Sequence, residues 1–508
     1  MADNLDGTLN TSNIVMNSMI DCGHLRIPQI EAFFAHLQED EAQVMALFGF
    51  IENPVHPPRV PPSGNIEFGF MLYWIHHPPV ELLALLAEYP VLDQFFTCFQ
   101  QMAPASKITE ADYHAVTDAI ADGGVAWTDG TMIGTGKYEQ LDPRWAIAAI
   151  NYAVNLVFPS TLETFRKGAT PDLPAPVPLQ SSGGEALSLA IVGDWGAGSY
   201  SETNGEICPA IRIRDQMDNS DVTTADYFIH LGDTYYAGTG AWRAPSNEET
   251  HNLYDLWPQD WAGKSYTLNS NHEMYGAAEG YYKTALQSGG KFSAQAGFSY
   301  FALTYGEWLI LGLDSAYYSD AGNATPAHPH NFYMEGAIGS PVHTAQTDWL
   351  AQFKTHTGPI MVMTHHTACD LTGAQTNLLY QQVKDALGRG PTLWYWGHLH
   401  NGIVYSQLDG SGGGSSTKGR CCGHGSIPFG RAWGLEDSSG NLLPNIEYFA
   451  RTPDPKAPNG KVDNAKTRMR NGYAVVDLSP DGGCTEKFYE VDTNTPVWSR
   501  SWSAGELA

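Results

Sequence analysis

Seven side chains with oxygen or nitrogen donors stand in five short segments between residues 193 and 400 of this 508-residue chain. The segments read Gly193-Asp194-Trp195-Gly196, Gly232-Asp233-Thr234-Tyr235-Tyr236, Asn271-His272-Glu273, Val362-Met363-Thr364-His365 and Gly397-His398-Leu399-His400. Carboxylate, phenol, amide and imidazole make a hard-to-borderline shell, suited to iron, zinc or manganese rather than to soft metals. The seven donors, Asp194, Asp233, Tyr236, Asn271, His365, His398 and His400, exceed the three or four that a single tetrahedral zinc takes from a protein. They match two ions about 3.5–4 Å apart that share one carboxylate. One Gly-Asp pair alone is usually a turn, and one His-x-His on a strand only sets two side chains on one face. Five such segments in order are the signal.

Most of these segments end an apolar, strand-like run: residues 187–192, 227–231, 360–363 and 393–396 are short and rich in aliphatic or aromatic side chains. In an open α/β sheet the carboxyl ends of neighbouring strands meet at one crevice, which is where such ligands would gather.

In this order the segments resemble those of the calcineurin-like metallophosphoesterases, and within them the purple acid phosphatases, over residues 186–490. Most of that superfamily opens with Asp-x-His, whereas this chain has Gly196 at the third position and a tyrosine three residues after the second aspartate, Tyr236. A ligand lost at one segment is regained at another, as in the purple acid phosphatases. The resemblance implies an α/β/β/α sandwich, two mixed sheets flanked by helices, in residues 186–508. It implies Fe(III) held by Asp194, Asp233, Tyr236 and His400, and Fe(II), Zn(II) or Mn(II) held by Asp233, Asn271, His365 and His398, with Asp233 bridging. Tyr235 is the rival to Tyr236; adjacent side chains point apart, so only one reaches the metal, and Tyr235 is expected to be a packed aromatic. The implied function is an acid phosphatase-like phosphomonoesterase in which a metal-bound hydroxide attacks phosphorus in line. A phosphodiesterase acting on cyclic nucleotides or nucleotide esters, and a non-catalytic protein-binding scaffold, are the alternatives.

His272, one residue past Asn271, is expected to face substrate and act on the phosphoryl oxygens or the leaving group, with Glu273 supporting a ligand or His272 itself. Two departures stand out. Ser270 replaces the glycine that usually opens the third segment, and residues 369–374 lack the histidine pair that touches substrate in plant-type enzymes. His366 and His424 are the candidate substitutes for that pair, with His328 and His330 behind them. Residues 346–350 match the helix before the fourth segment, where Trp349 and Leu350 are expected to pack against the sheet. Residues 472–478 and 485–491 are expected to form a closing hairpin.

The rest of the chain bounds the reading. Its length suggests two domains, and the boundary is a Pro-rich stretch at 171–178 running into Ser181-Ser182-Gly183-Gly184. Residues 1–170 form an all-α accessory domain in this reading, 171–185 a linker and 186–508 the catalytic domain. Helices are expected over 30–48, 79–102, 109–121 and 143–158, where apolar residues recur at spacings of three and four. The accessory half could cap the site, mediate oligomerisation or bind a protein partner. The net charge of −28, from 27 Lys+Arg and 55 Asp+Glu, argues against a nucleic-acid partner and for a small phosphoester substrate. Seven scattered cysteines read mostly as buried small hydrophobes. The start of the chain lacks a signal-peptide pattern and no stretch suits a membrane span, which sets a cytoplasmic default; export without a cleaved signal is the alternative.

Overall fold

The structure is a computed structural model. It describes residues 66–507 and parts of 30–44, apart from 88–89, 121–123, 158, 160–161, 166–172, 201–207, 242–246, 326–330, 409–416 and 457–467. Two mixed sheets dominate. The first, of six strands, has the order β16-β15-β14-β4-β5-β6, with β4 Leu187–Val192, β5 Tyr227–His230, β6 Ser265–Thr267, β14 Gly472–Leu478, β15 Cys484–Glu490 and β16 Trp498–Trp502. The second, of eight strands, has the order β13-β11-β12-β10-β9-β8-β7-β3. Its members are β3 Val177–Pro178, β7 Phe301–Tyr305, β8 Trp308–Gly312, β9 Ile360–Thr364, β10 Leu393–Trp396, β11 Gly402–Tyr405, β12 Lys418–Cys422 and β13 Ile446–Phe449. β4, β5 and β6 are mutually parallel in the first sheet, and β8, β9, β10 and β12 in the second.

Alternation along the strands makes the layers. Leu187, Leu189 and Ile191 of β4 pack between the sheets with Ile310 of β8, Met361 and Met363 of β9 and Leu393 of β10. Ala190 and Val192 face the other way, against Ile213 and Met217 of the helix Pro209–Asp218. On the far side of the eight-stranded sheet, Leu311, Val362 and Trp394 meet Trp349 and Leu350 of the helix Ala345–Ala351 and Leu379 and Val383 of the helix Leu378–Leu387. The result is the expected α/β/β/α sandwich, with Trp349 and Leu350 in their expected packing role and β14–β15 as the closing hairpin.

One buried ion pair ties the two sheets together. Arg420 of β12 places Nη2 2.7 Å from Glu486 Oε2 of β15, both side chains fully buried, and Glu486 also accepts from Tyr395 and from Trp502 Nε1. Removing one partner leaves a bare charge in a dry interior. Glu486→Ala is therefore expected to cost about 3–5 kcal/mol in a denaturant melt, whereas a loss under 1 kcal/mol would contradict this.

In the amino-terminal half the helices, numbered in chain order, are α1 Ile66–His76, α2 Val80–Ala87, α3 Pro90–Met102, α4 Glu110–Ile120 and α5 Ala146–Val157. The single helix expected over 79–102 is two helices, α3 beginning at Pro90, whose ring cannot continue a helix. α4 is capped as its sequence suggests: Asp112 N–H donates to Thr109 Oγ1, and Thr109 N–H donates to the Asp112 carboxylate. The expectation of an all-α half is corrected, because β1 Val125–Ala126 and β2 Met132–Ile133 pair as a short antiparallel ladder. The 171–185 linker reading is corrected in part, because β3 joins the edge of the eight-stranded sheet beside β7. Cys98 is disulfide-bonded, against the expectation for the cysteines, while Cys208, Cys369, Cys421, Cys422 and Cys484 are free and buried. Among the described residues no helix is long and apolar enough to cross a membrane.

The described helices of this half share one apolar cluster with Tyr235, Tyr236, Tyr275, Phe332 and Ile427. They lie directly against the loops that carry the candidate ligands.

Candidate metal centre

The five segments converge because each follows the carboxyl end of a strand. Asp194 follows β4, Asp233 follows β5, Asn271 follows β6, His365 follows β9, and His398 and His400 follow β10. The strand ends crowd closely. A Cβ on Gly397 would sit 2.4 Å from Asp194 Oδ2, and one on Gly196 would sit 2.5 Å from the Asp233 carbonyl oxygen. A side chain at position 196 therefore has no room, which is the physical content of the glycine there. Asp194, Asp233 and His398 all hold positive φ, at 55°, 77° and 66°. For residues other than glycine this costs on the order of 1–3 kcal/mol each and gathers at functional sites.

Two groups of donors result. Asp194, Asp233 and His400 bring ligand atoms within 4.8 Å of one another, as do His365, His366 and His398, and each group could hold a metal ion. In the first group the Tyr235 hydroxyl lies 2.8 Å from Asp233 Oδ2, 3.2 Å from Asp194 Oδ1 and 3.2 Å from His400 Nε2. One hydroxyl proton cannot serve three such atoms. Burial and the charge of Asp233 push the Asp194 carboxyl well above the usual range. Asp233 is held low: burial would raise it, but His365, His272 and Ser270 outweigh that.

In the second group His365 Nδ1 lies 2.9 Å from the Leu231 carbonyl oxygen, which can only accept, so the ring proton sits on Nδ1. His365 Nε2 then turns a lone pair toward Asn271 Oδ1 at 2.9 Å and Asp233 Oδ1 at 3.2 Å. Asp233 Oδ1 is buried and has no hydrogen-bond partner among the described residues. Burial lowers His365 and His400 to about 3 and also lowers His398, which keeps all three rings in their neutral, ligating form. Lone pairs and carboxylate oxygens thus face one another with no lysine or arginine bonded to them among the described residues. A cation in each group would relieve the crowding, so the donor set fits two metals.

The structure corrects three sequence expectations. Tyr236, expected as the phenol ligand, donates its hydroxyl to Asp142 Oδ2 at 2.7 Å, and it is Tyr235 that reaches the carboxylates. Asp142 is a fully buried acceptor supplied by the amino-terminal half, and it takes the phenol that the family resemblance assigned to the centre. His366, expected as a substrate contact, is buried with both nitrogens engaged, Nδ1 with Ser315 Oγ at 2.9 Å and Nε2 with the Tyr333 carbonyl at 2.7 Å. His424 is likewise buried, its ring against the backbone of Gly402 and Gly472, so it is walled off as a substrate contact. His328 and His330 lie outside the described residues.

His272 stands beside Asp233, Nε2 3.8 Å from Oδ2, and its Nδ1 donates to the Tyr236 carbonyl at 2.6 Å. Ser270 proves a good opening residue: its backbone is extended, at φ −134°, and its hydroxyl accepts the His272 N–H and bonds the Glu273 carboxylate. Glu273 thus supports the loop rather than His272. The walls are not legible in the sequence. Trp145 packs its ring 4.9 Å from Tyr236 and 5.5 Å from His272, while Tyr333 and Met334 approach His366 and Asn271. No local motif marks either wall.

Behind the centre, burial pushes Glu249 from its ordinary 4.5 up to about 8, with Thr234 opposing and Glu248 adding to the shift. The folded chain therefore keeps a proton that the unfolded chain releases, and stability falls as pH rises from about 4.5 to 8. Glu249→Gln is expected to lose less melting temperature between pH 5 and pH 8 than the unaltered protein. Equal losses would contradict that.

No family model and no curated protein matches the chain. Among solved structures it is similar to "GAP50 the anchor in the inner membrane complex of Plasmodium", at 14% identity and a TM-score of 0.41, covering 63% of this chain and 89% of that one. It is also similar to purple acid phosphatase PPD1 from yellow lupin (Lupinus luteus) seeds, at 12% identity and a TM-score of 0.35, covering 65% of this chain and 56% of that one. At these values the likenesses carry no weight for function, and the layers and donor groups stand on this chain's own geometry.

Proposed function

We propose that this chain is a metal-dependent hydrolase of phosphate esters, of the metallophosphoesterase type, with Asp233 shared between two metal ions. The observation that supports it is the placing of Asp233 between two donor groups, Asp194, Tyr235 and His400 on one side and His365 and Asn271 on the other. In this reading Asp194, Asp233, Tyr235 and His400 hold one ion, iron by virtue of the phenol. Asp233, Asn271, His365 and His398 hold the second, iron, zinc or manganese. His366 stays with Ser315 and Tyr333.

Bound there, the two cations would supply Lewis-acid polarisation and offset the charge of a transferring phosphoryl group. The chain's own residues do the rest. His272, its Nδ1 proton fixed on a carbonyl, presents Nε2 at the edge of the centre, where in the imidazolium form a second proton would be in place for a leaving oxygen. Trp145 packs beside His272 and Tyr236, and the His400 side chain is 22% exposed. A net charge of −28 suits small monoesters over polyanions.

The test is hydrolysis of p-nitrophenyl phosphate and bis-p-nitrophenyl phosphate by protein loaded with iron, zinc or manganese. Faster turnover of the monoester is expected, and a preference for the diester would favour the phosphodiesterase reading. Metal-loaded protein that cleaves neither would overturn hydrolysis and leave a binding scaffold.

A further inference from the structure

The amino-terminal half reaches the centre at one buried carboxylate. Asp142 is fully buried and accepts four hydrogen bonds. Oδ1 takes Arg144 Nε at 2.7 Å and Arg144 N–H at 3.1 Å, and Oδ2 takes Tyr138 N–H at 2.8 Å and the Tyr236 hydroxyl at 2.7 Å. A carboxylate held by four donors cannot rotate, so it fixes the phenol that it binds. Tyr236 is pinned at its other end as well, where its N–H donates to Glu248 Oε1 at 2.9 Å. Between these two anchors lies the Tyr236 carbonyl, 2.6 Å from His272 Nδ1. A carbonyl has no proton to give. The His272 ring proton must therefore sit on Nδ1, which leaves Nε2 toward Asp233 Oδ2 at 3.8 Å. Trp145, three residues past Asp142, packs beside the same ring at 5.5 Å between centroids.

We infer that Asp142 is a positioning residue, supplied by the amino-terminal half, that sets the tautomer and aim of His272 through Tyr236. The inference rests on the proposed hydrolytic reading only for what His272 does; the tautomer itself does not depend on it. The amino-terminal half is then part of the centre rather than an appendage. A misaim of about 1 Å can cost on the order of a hundredfold in rate, so the lever is large.

Tyr236→Phe is the cleanest variant, because it deletes a single oxygen and leaves the Asp142–Arg144 pair in place. Asp142→Asn, which keeps the side-chain shape, is the second. Histidine-selective 15N NMR on the metal-free protein, with His272 assigned from His272→Gln, should show Nδ1–H in the unaltered chain and an averaged tautomer pattern in both variants. In metal-loaded protein, Tyr236→Phe should lower kcat for an alkyl phosphate about ten- to a hundredfold with KM little changed. It should add nothing to His272→Gln in a double-mutant cycle. An unchanged His272 pattern in both variants would overturn the inference whatever the activity. A protein that hydrolyses nothing would refute the proposed function and leave the NMR result to decide the tautomer.

Discussion

Tyr235→Phe is expected to bleach the iron-loaded protein, while Tyr236→Phe keeps its colour. A phenolate on ferric iron gives a visible charge-transfer band, and among the described residues only Tyr235 places its phenol between Asp194 and Asp233. The Tyr235 oxygen lies 2.8 Å from Asp233 Oδ2, whereas the Tyr236 oxygen lies 2.7 Å from Asp142 Oδ2. Burial and the charges of Asp194 and Asp233 push the Tyr235 hydroxyl far up, so the free phenol stays protonated and needs a cation to ionise. The measurement is a visible spectrum of each variant after loading with Fe(III). A band that survives in Tyr235→Phe and disappears in Tyr236→Phe would restore the assignment implied by the resemblance.

Asp233→Asn should have the largest effect on activity. An asparagine at this position cannot serve both donor groups with charge, and the loss of one preorganised electrostatic group costs about a thousandfold at its upper end. Phosphoester hydrolysis is therefore expected to fall by on the order of a thousandfold or more. The upward shift in melting temperature that metal gives the unaltered protein, which follows from binding only to the folded chain, should shrink in the variant. A variant that keeps full activity and the full metal-induced shift would remove Asp233 from the centre.

The sequence carried the parts of this picture that depend on short-range order. Strand-ending segments such as Leu187–Val192 before Asp194 and Leu393–Trp396 before His398 are legible, because a run of aliphatic side chains followed by glycine announces both strand and turn. The Thr109–Asp112 cap is legible for the same reason. The sequence reading favours Tyr236, but both tyrosines lie within three residues of Asp233 and the choice is made by Asp142, 94 residues earlier. His366 shows the same limit. Beside His365 it looks available, yet Ser315 and Tyr333, 51 and 33 residues away, engage its two nitrogens. Long-range partners of buried polar groups leave no local trace, and they fix which of two adjacent side chains enters a site.

The most direct measurement is anomalous diffraction from crystals grown with iron, zinc or manganese. Two peaks are expected about 3.5–4 Å apart, both next to the Asp233 carboxylate. One should lie beside Asp194, Tyr235 and His400, the other beside Asn271, His365 and His398. Metal density remote from Asp233, in protein that still cleaves phosphoesters, would contradict the account.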